Sequence, residues 1–110
     1  SISSSGGMTS SPSYAIAKSG VVTMTVTAAA YLAEHGIRVN AISPGIVDTH
    51  FHDEVKIKNP SVLENQIKSI PLGRLAEPED IASAISFLIS QNASYITGEV
   101  ITVGGGKNRL

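Results

Sequence analysis

The feature that most constrains the fold is a long stretch of helix-forming sequence near the start of the chain that carries almost no charge. Ser11 followed by a proline is typical of a helix start, because the hydroxyl can accept from exposed N–H groups and proline at the first helical position sacrifices no hydrogen bond. No charged residue lies between Lys18 and Glu34, and Gly36 supplies the left-handed residue that commonly ends a helix. The apolar residues occupy more than one helical face. We therefore predict a helix over residues 13–35 that is buried on two sides, against a sheet and against a second surface.

The rest of the chain alternates between predicted strands and predicted helices. Residues 37–43 have a β-branched core followed by a Pro-Gly turn, and residues 100–103 precede three glycines, so both segments predict short buried strands. Between them, residues 77–90 combine acids in the first turn with apolar residues at helical spacing, which predicts an amphipathic helix. Residues 60–70 predict a weaker helix. This alternation is typical of a parallel α/β sheet.

The number of strands is small for such a sheet. With 110 residues the chain can form one domain but not two. Parallel sheets are normally covered on both faces and have more strands than the two predicted here and the partial strand that residues 1–3 could form. We therefore expect the chain to be the C-terminal part of a larger α/β fold, or to pair with other chains along its sheet edge.

Composition excludes several classes of function. The 8 basic and 9 acidic side chains leave a net charge of -1, which is unlike a nucleic-acid or anionic-membrane binder. The chain has no cysteine, which excludes a disulfide scaffold, a thiolate zinc site and a cysteine nucleophile. The apolar stretch at residues 19–33 is too short and too rich in hydroxyl groups to predict a membrane span. We expect a cytoplasmic protein with neither a nucleic-acid nor a membrane partner.

Two groups of polar residues are candidates for chemistry. His50, His52 and Asp53 lie together but without a further ligand at metal-binding spacing, so we predict no metal site. Tyr14 and Lys18 are four residues apart at the start of the long helix and therefore share one of its faces. A lysine charge about 4 Å from a phenol, at an effective dielectric of about 20, favours the phenolate by roughly 4 kcal/mol. Such a pair could act as an acid and base near neutral pH.

Five patches follow one another along the chain: ISS at residues 2–4, the YxxxK pair at Tyr14 and Lys18, IRVNAISPGIVDT at 37–49, GRLAEPEDIASAISFLIS at 73–90 and ITGEVITVGGG at 96–106. In this order they resemble the classical short-chain dehydrogenase/reductase family, and most closely its 3-oxoacyl-[acyl-carrier-protein] reductases and sugar or polyol dehydrogenases. The resemblance implies that residues 1–110 are the C-terminal portion of a single Rossmann-like domain, a doubly wound parallel sheet in three α/β/α layers. The N-terminal dinucleotide-binding half is then absent.

The resemblance also implies catalytic roles. Tyr14 matches the tyrosine that gives a proton to a carbonyl oxygen in reduction and removes it in alcohol oxidation. Lys18 matches the lysine that lowers the pKa of that tyrosine and hydrogen-bonds the nicotinamide ribose. Ser4 matches the serine that orients the substrate oxygen, although Ser3 or Ser5 could take its place because the loop before Tyr14 is shorter than is typical.

Cofactor contacts are implied for Tyr14 and Lys18 and for the turn after residue 43, where the family binds the nicotinamide: Pro44, Gly45, Val47 and Thr49. The implied cofactor is NAD or NADP. The glycine-rich dinucleotide fingerprint is absent from these residues, as is the residue that would select between the two cofactors. The glycines at 104–106 cannot replace it, because they follow the last strand and no helix comes after them.

Two functions follow. The first is an NAD(P)-dependent oxidoreductase that transfers hydride between the nicotinamide and a small carbonyl or secondary-alcohol substrate. The second is a truncated, catalytically incompetent fragment that acts only as a folding or oligomerisation module. Because the corresponding helix of the family joins subunits, we expect a homo-oligomer, either a dimer or a tetramer.

Overall fold

Two parallel strands with helices packed on them form the architecture, in a computed structural model that describes residues 11–49 and 60–107. In chain order the elements are α1 (Pro12–Leu32), a 3-10 turn (Ala33–His35), β1 (Ala41–Pro44), α2 (Pro60–Lys68), α3 (Pro78–Ile89), a second 3-10 turn (Gln91–Ala93) and β2 (Val100–Val103). The predicted α/β class is therefore confirmed. Each helix and strand predicted within the described residues is present, most with ends shifted by a few residues, whereas the partial strand predicted at residues 1–3 lies outside them.

The two strands lie side by side in parallel, and their register brings both C-terminal ends to the same edge. Ala41 pairs with Val100 and Pro44 with Val103. The Gly45 N–H continues the ladder by donating to the Val103 carbonyl at 2.9 Å. Side chains that follow either strand are thereby placed at one end of the sheet, where open α/β sheets bind ligands.

Strand β1 begins four residues later than residues 37–43 predict. The reason is a side chain: Asn40 Nδ2 donates to the Ile96 carbonyl at 2.9 Å, and Asn40 Oδ1 accepts from the Glu99 N–H at 3.1 Å. The amide side chain therefore takes the Glu99 N–H that a longer strand would use, and it also anchors the Ile96 carbonyl. β-branched composition indicates the strand, but it does not reveal this substitution.

Helix α1 differs from the prediction at its start and agrees at its end. The Ser11 hydroxyl lies 2.7 Å from the Ser13 hydroxyl and makes no bond to a helix N–H, so the expected side-chain cap is wrong. The Ser11 carbonyl accepts from Ala15 N–H instead, at 3.2 Å. At the other end Gly36 has a φ of 70°, the left-handed conformation that was predicted.

The two faces of α1 differ in burial. Thr25 and Ala29, on the inward face, are 4% and 3% exposed. On the opposite face Ile16, Met24 and Tyr31 are 72%, 63% and 75% exposed. Within the described part of the chain the helix is thus covered on one side only, and the second apolar face has no covering surface.

By length and composition alone, the helical segment Pro12–His35 would suffice to cross a bilayer, with a mean hydropathy of 1.3 in its most apolar window. It is longer than the stretch that the sequence singled out, since the helix begins before Lys18. A core or interface helix passes the same test, so the finding is weak evidence for a membrane span.

Helix α3 and the turn after it pack against the sheet. Leu88 is 6% exposed and Ala93 is fully buried. The Arg38 guanidinium donates to the Ile96 carbonyl at 3.1 Å and to the Ser90 carbonyl at 3.4 Å, which ties the end of α3 to the segment before β1. The connection from α3 to β2 is therefore fixed by long-range polar contacts.

Candidate active site

The first two turns of α1 present the tyrosine and lysine of the YxxxK pair on one face. Lys18 Nζ lies over the Tyr14 ring, 5.5 Å from its centroid. This distance is within the range of a cation–π contact, which holds the ammonium beside the phenol. The Tyr14 side chain is half exposed, so its hydroxyl is accessible to a small molecule. The expected proximity of the two groups is confirmed.

A cleft of about 330 Å³ brings this pair to the end of the sheet. Its walls come from α1, from β1 and the turn after it, and from the first residue of β2: Tyr14, Lys18, Val21, Val22, Ala41, Ile42, Pro44, Gly45 and Val100. Four of the residues singled out from the sequence, Tyr14, Lys18, Pro44 and Gly45, therefore line one cavity. The cleft offers a phenol hydroxyl and an ammonium opposite mostly apolar walls.

The other two residues of the turn, Val47 and Thr49, do not line this cleft. Val47 forms an isolated parallel bridge with Ala76, in which Asp48 N–H donates to the Ala76 carbonyl at 2.7 Å. Thr49 is exposed at the end of the first described range. The turn is thus held by backbone pairing with a segment that does not line the cleft.

Gly45 is required where the turns after the two strands meet. A Cβ at this position would lie 2.8 Å from the Cα of Gly104, and real Cβ atoms do not approach backbone so closely. The absence of a side chain on Gly45 lets the two turns touch. The Pro-Gly sequence after β1 therefore brings its turn into contact with Gly104, the first residue after β2.

The proposed substrate-orienting serine, Ser4, and its alternatives Ser3 and Ser5 lie outside the described residues. So do His50, His52 and Asp53. In residues 11–49 and 60–107 no group of three or more metal-ligating side chains comes together.

An ion pair beside the site was not assigned from the sequence. Arg74 donates twice to the Asp80 carboxylate, from Nη1 to Oδ2 at 2.6 Å and from Nη2 to Oδ1 at 3.0 Å. The Arg74 hydrogen bonds, together with the backbone N–H of Glu77, lower the pKa of Asp80 to about 2, and Asp80 in turn raises the pKa of Arg74. Sequence reasoning placed Asp80 only among the acids of a helix start. An arginine six residues before it, across a proline, is the signal that could have suggested a pair.

The family model described as enoyl-(acyl carrier protein) reductase matches residues 1–108. The chain belongs to the short-chain dehydrogenase/reductase family. This confirms the resemblance that the five sequence patches carried.

Individual family members show the same similarity. The chain is 45% identical over 93 residues to a (3R)-3-hydroxyacyl-CoA dehydrogenase of Canis lupus familiaris, covering 84% of this chain and 35% of that protein. It is 44% identical over 93 residues to the 3-oxoacyl-[acyl-carrier-protein] reductase FabG of Thermotoga maritima, covering 84% of this chain and 37% of that protein.

A solved structure agrees with the fold along the whole chain. A putative 2-deoxy-d-gluconate 3-dehydrogenase from Agrobacterium tumefaciens with bound NADP superposes with a TM-score of 0.91 at 37% identity, over 100% of this chain and 44% of that one. The chain therefore has the α/β fold of this family and spans less than half the length of these relatives.

Proposed function

We propose that this chain supplies the proton-transfer half of an NAD(P)-dependent oxidoreductase that interconverts a small carbonyl compound and a secondary alcohol. The observation that carries the proposal is the single cleft in which Tyr14 and Lys18 lie opposite the Pro44–Gly45 turn at the strand ends. Support for the cofactor class comes from the Agrobacterium tumefaciens relative, which is described with bound NADP.

The residues of the cleft suit a nicotinamide nucleoside. Lys18 carries three donors that can bond ribose hydroxyls, and the turn at Gly45 presents bare backbone to a flat ring. Val47 would meet the nicotinamide carboxamide through its backbone, and Thr49 would lie near the phosphates. When bound, the reduced nicotinamide supplies the hydride that reaches the carbonyl carbon.

Proton transfer is the role of Tyr14. In reduction its hydroxyl gives a proton to the carbonyl oxygen as that oxygen gains negative charge, and in oxidation the phenolate removes the proton from the alcohol. The ammonium of Lys18 lies over the Tyr14 ring, 5.5 Å from its centroid, and so places a positive charge beside the phenol. Ser4 would orient the substrate oxygen toward the phenol.

The role of Tyr14 can be tested by joining the chain to the complementary N-terminal portion of the Agrobacterium tumefaciens dehydrogenase, of which it covers 44%. We expect this chimera to oxidise NADPH in the presence of a keto substrate of that enzyme. Tyr14→Phe should lower kcat by at least about a hundredfold, the usual scale of acid–base catalysis, with cofactor affinity retained. Tyr31→Phe, on the outward face of α1, is the matched control and should keep full activity. Activity retained in Tyr14→Phe would refute the assigned role.

A second candidate is an assembly module without catalysis of its own. The exposed apolar face of α1 favours it, as does coverage of only 35% and 37% of the two curated relatives. A fluorescence titration with NADPH and NADH on the 110-residue chain separates the two. Binding that is weakened by Lys18→Ala supports the oxidoreductase, whereas no binding excludes independent catalysis by this chain.

A further inference from the structure

The backbone that follows β1 is held by two hydrogen bonds to Ala76. Asp48 N–H donates to the Ala76 carbonyl at 2.7 Å, and Ala76 N–H donates to the Ile46 carbonyl at 3.0 Å. These two bonds form an isolated bridge between Val47 and Ala76, outside the two-stranded sheet. An isolated bridge is not supported by neighbouring ladder bonds, so its geometry depends on what fixes Ala76.

The segment that carries Ala76 is fixed by an ion pair that closes a small ring. Arg74 Nη1 donates both to the Leu75 carbonyl at 2.9 Å and to Asp80 Oδ2 at 2.6 Å. Asp80 Oδ2 also accepts from the Glu77 N–H at 2.8 Å. The arginine therefore joins the first turn of α3 to the residue just before Ala76, and the backbone between them has little freedom.

We propose that Arg74 and Asp80 form a positioning clasp. It holds residues 46–48, the turn after β1, in a fixed position relative to the C-terminal ends of the two strands. The consequence for nucleotide binding rests on the proposed function, because that turn is where Val47 would contact the nicotinamide. Neither Arg74 nor Asp80 lines the Tyr14 cleft, so both are positioning residues.

The small free energy expected of the Arg74–Asp80 ion pair favours a local role for it over a contribution to overall stability. The Arg74 and Asp80 side chains are 53% and 34% exposed. Ion pairs that solvent reaches add little to global stability because water screens the charges and the side chains lose entropy. A forked, two-point contact nevertheless defines geometry, since the planar guanidinium matches the carboxylate edge.

A simpler role for Asp80 is to cap α3 alone. Substitution of Arg74 distinguishes the two roles, because Arg74 does not bond the helix N–H groups. Arg74→Gln removes the clasp and leaves the Asp80 contact with the Glu77 N–H available. Asp80→Asn keeps one oxygen for that N–H but loses the charged fork. If Asp80 only caps the helix, Arg74→Gln has no effect on the turn.

Amide hydrogen exchange followed by NMR on the 110-residue chain tests the clasp. We expect the Asp48 and Ala76 amides to exchange about fivefold faster in both Arg74→Gln and Asp80→Asn, since local opening of this bridge becomes easier. The Gly45 amide, bonded to Val103, should keep its rate. Glu79→Gln, in the same turn as Asp80 and without an ion pair among the described residues, is the matched control.

The reversed pair Arg74→Asp with Asp80→Arg should not restore the lost protection, because a carboxylate at position 74 cannot donate to the Leu75 carbonyl and a guanidinium at position 80 cannot accept from the Glu77 N–H. Unchanged exchange at Asp48 and Ala76 in both single variants would overturn the clasp, and so would equal acceleration at Gly45, which indicates global destabilisation. These rates do not require bound nucleotide. If Tyr14→Phe keeps the activity of the chimera, the proposed function fails while the exchange result still decides the clasp.

Discussion

At the scale of single residues, the contact between Gly45 and Gly104 decides how the two strand ends meet. Only the absence of a side chain on Gly45 allows the backbones to touch, because a Cβ there would lie 2.8 Å from the Gly104 Cα. A neighbouring glycine, Gly105, has a φ of 61° and would place a Cβ 2.7 Å from Ile70 Cγ2. Glycine is thus required at these positions for steric reasons. The sequence suggests a turn there but does not show which atoms a side chain would meet.

The first prediction concerns this contact. Gly45→Ala should destabilise the fold by about 1–3 kcal/mol, because neither backbone can yield easily to the added methyl group. Gly20→Ala is the matched control: its Cβ would have nothing within 4 Å and it lies inside α1. That change should stabilise the chain by about 0.5–1 kcal/mol. Urea unfolding measures both, and equal effects of the two substitutions would contradict the steric explanation.

At the scale of elements, side chains join segments that no local pattern connects. The segment before β1 is tied to the segment before β2 by Asn40 and Arg38, both of which reach the Ile96 carbonyl. The strand is short because these side chains take over part of the pairing. The helices were predicted with greater accuracy than the start of this strand, since helical spacing is a local property.

A second prediction follows for Asn40. Asn40→Ala removes the bonds to the Ile96 carbonyl and the Glu99 N–H, and should cost about 1–3 kcal/mol of unfolding free energy. The control is Asn65→Ala on the exposed side of α2, which should change stability by less than about 0.5 kcal/mol. Denaturant titration at neutral pH measures both. A loss at Asn40 no larger than at Asn65 would mean that the amide bridge contributes nothing.

The third prediction uses the lowered pKa of Asp80, about 2 against the ordinary 3.8. A carboxyl whose pKa is lower in the folded state stabilises the fold above its unfolded pKa, and this contribution is lost as the pH falls through the folded value. The stability difference between the wild type and Asp80→Asn should therefore be full above about pH 4 and shrink toward pH 2. Unfolding by urea at pH 6, 4, 3 and 2 follows it. A difference that stays constant with pH would contradict the ionic origin.

At the scale of the whole molecule, the chain leaves more of its surface exposed than a compact domain of its length. Its exposed area is 7669 Å², against roughly 5,800 Å² for a compact monomer of this mass. Its radius of gyration is 15.7 Å, against about 13 Å for a compact domain of this length. Both excesses are consistent with a chain that spans less than half of its relatives and has an uncovered apolar helix face.

A fourth prediction concerns that face. We propose that the outward side of α1 joins subunits, so Ile16→Glu and Met24→Glu should lower the average mass in sedimentation equilibrium toward 11.4 kDa. A buried carboxylate costs several kcal/mol, which an interface cannot absorb. Val62→Glu, a half-exposed position on α2, is the control and should leave the mass unchanged. If the outward-face variants have the same mass as the wild type, this face is not the interface.

The sequence by itself determined the three helices, the two strands, their alternation and the family. Those features depend on local spacing, turn residues and motifs, which can be recognised without knowing what lies nearby in space. Of the site residues, Tyr14 and Lys18 could be paired from their spacing, and Pro44 and Gly45 through the resemblance. The roles of these four residues stay predictions, as do those of Ser4, Val47 and Thr49.

Only the tertiary structure decided the contacts between segments distant along the chain. It brought Tyr14 and Lys18 against the Pro44–Gly45 turn, set Gly45 against Gly104 and replaced the start of β1 with the Asn40 bridge. The physical reason is that these contacts depend on which backbone groups the folded chain leaves available, and that follows from long-range packing rather than from any local pattern.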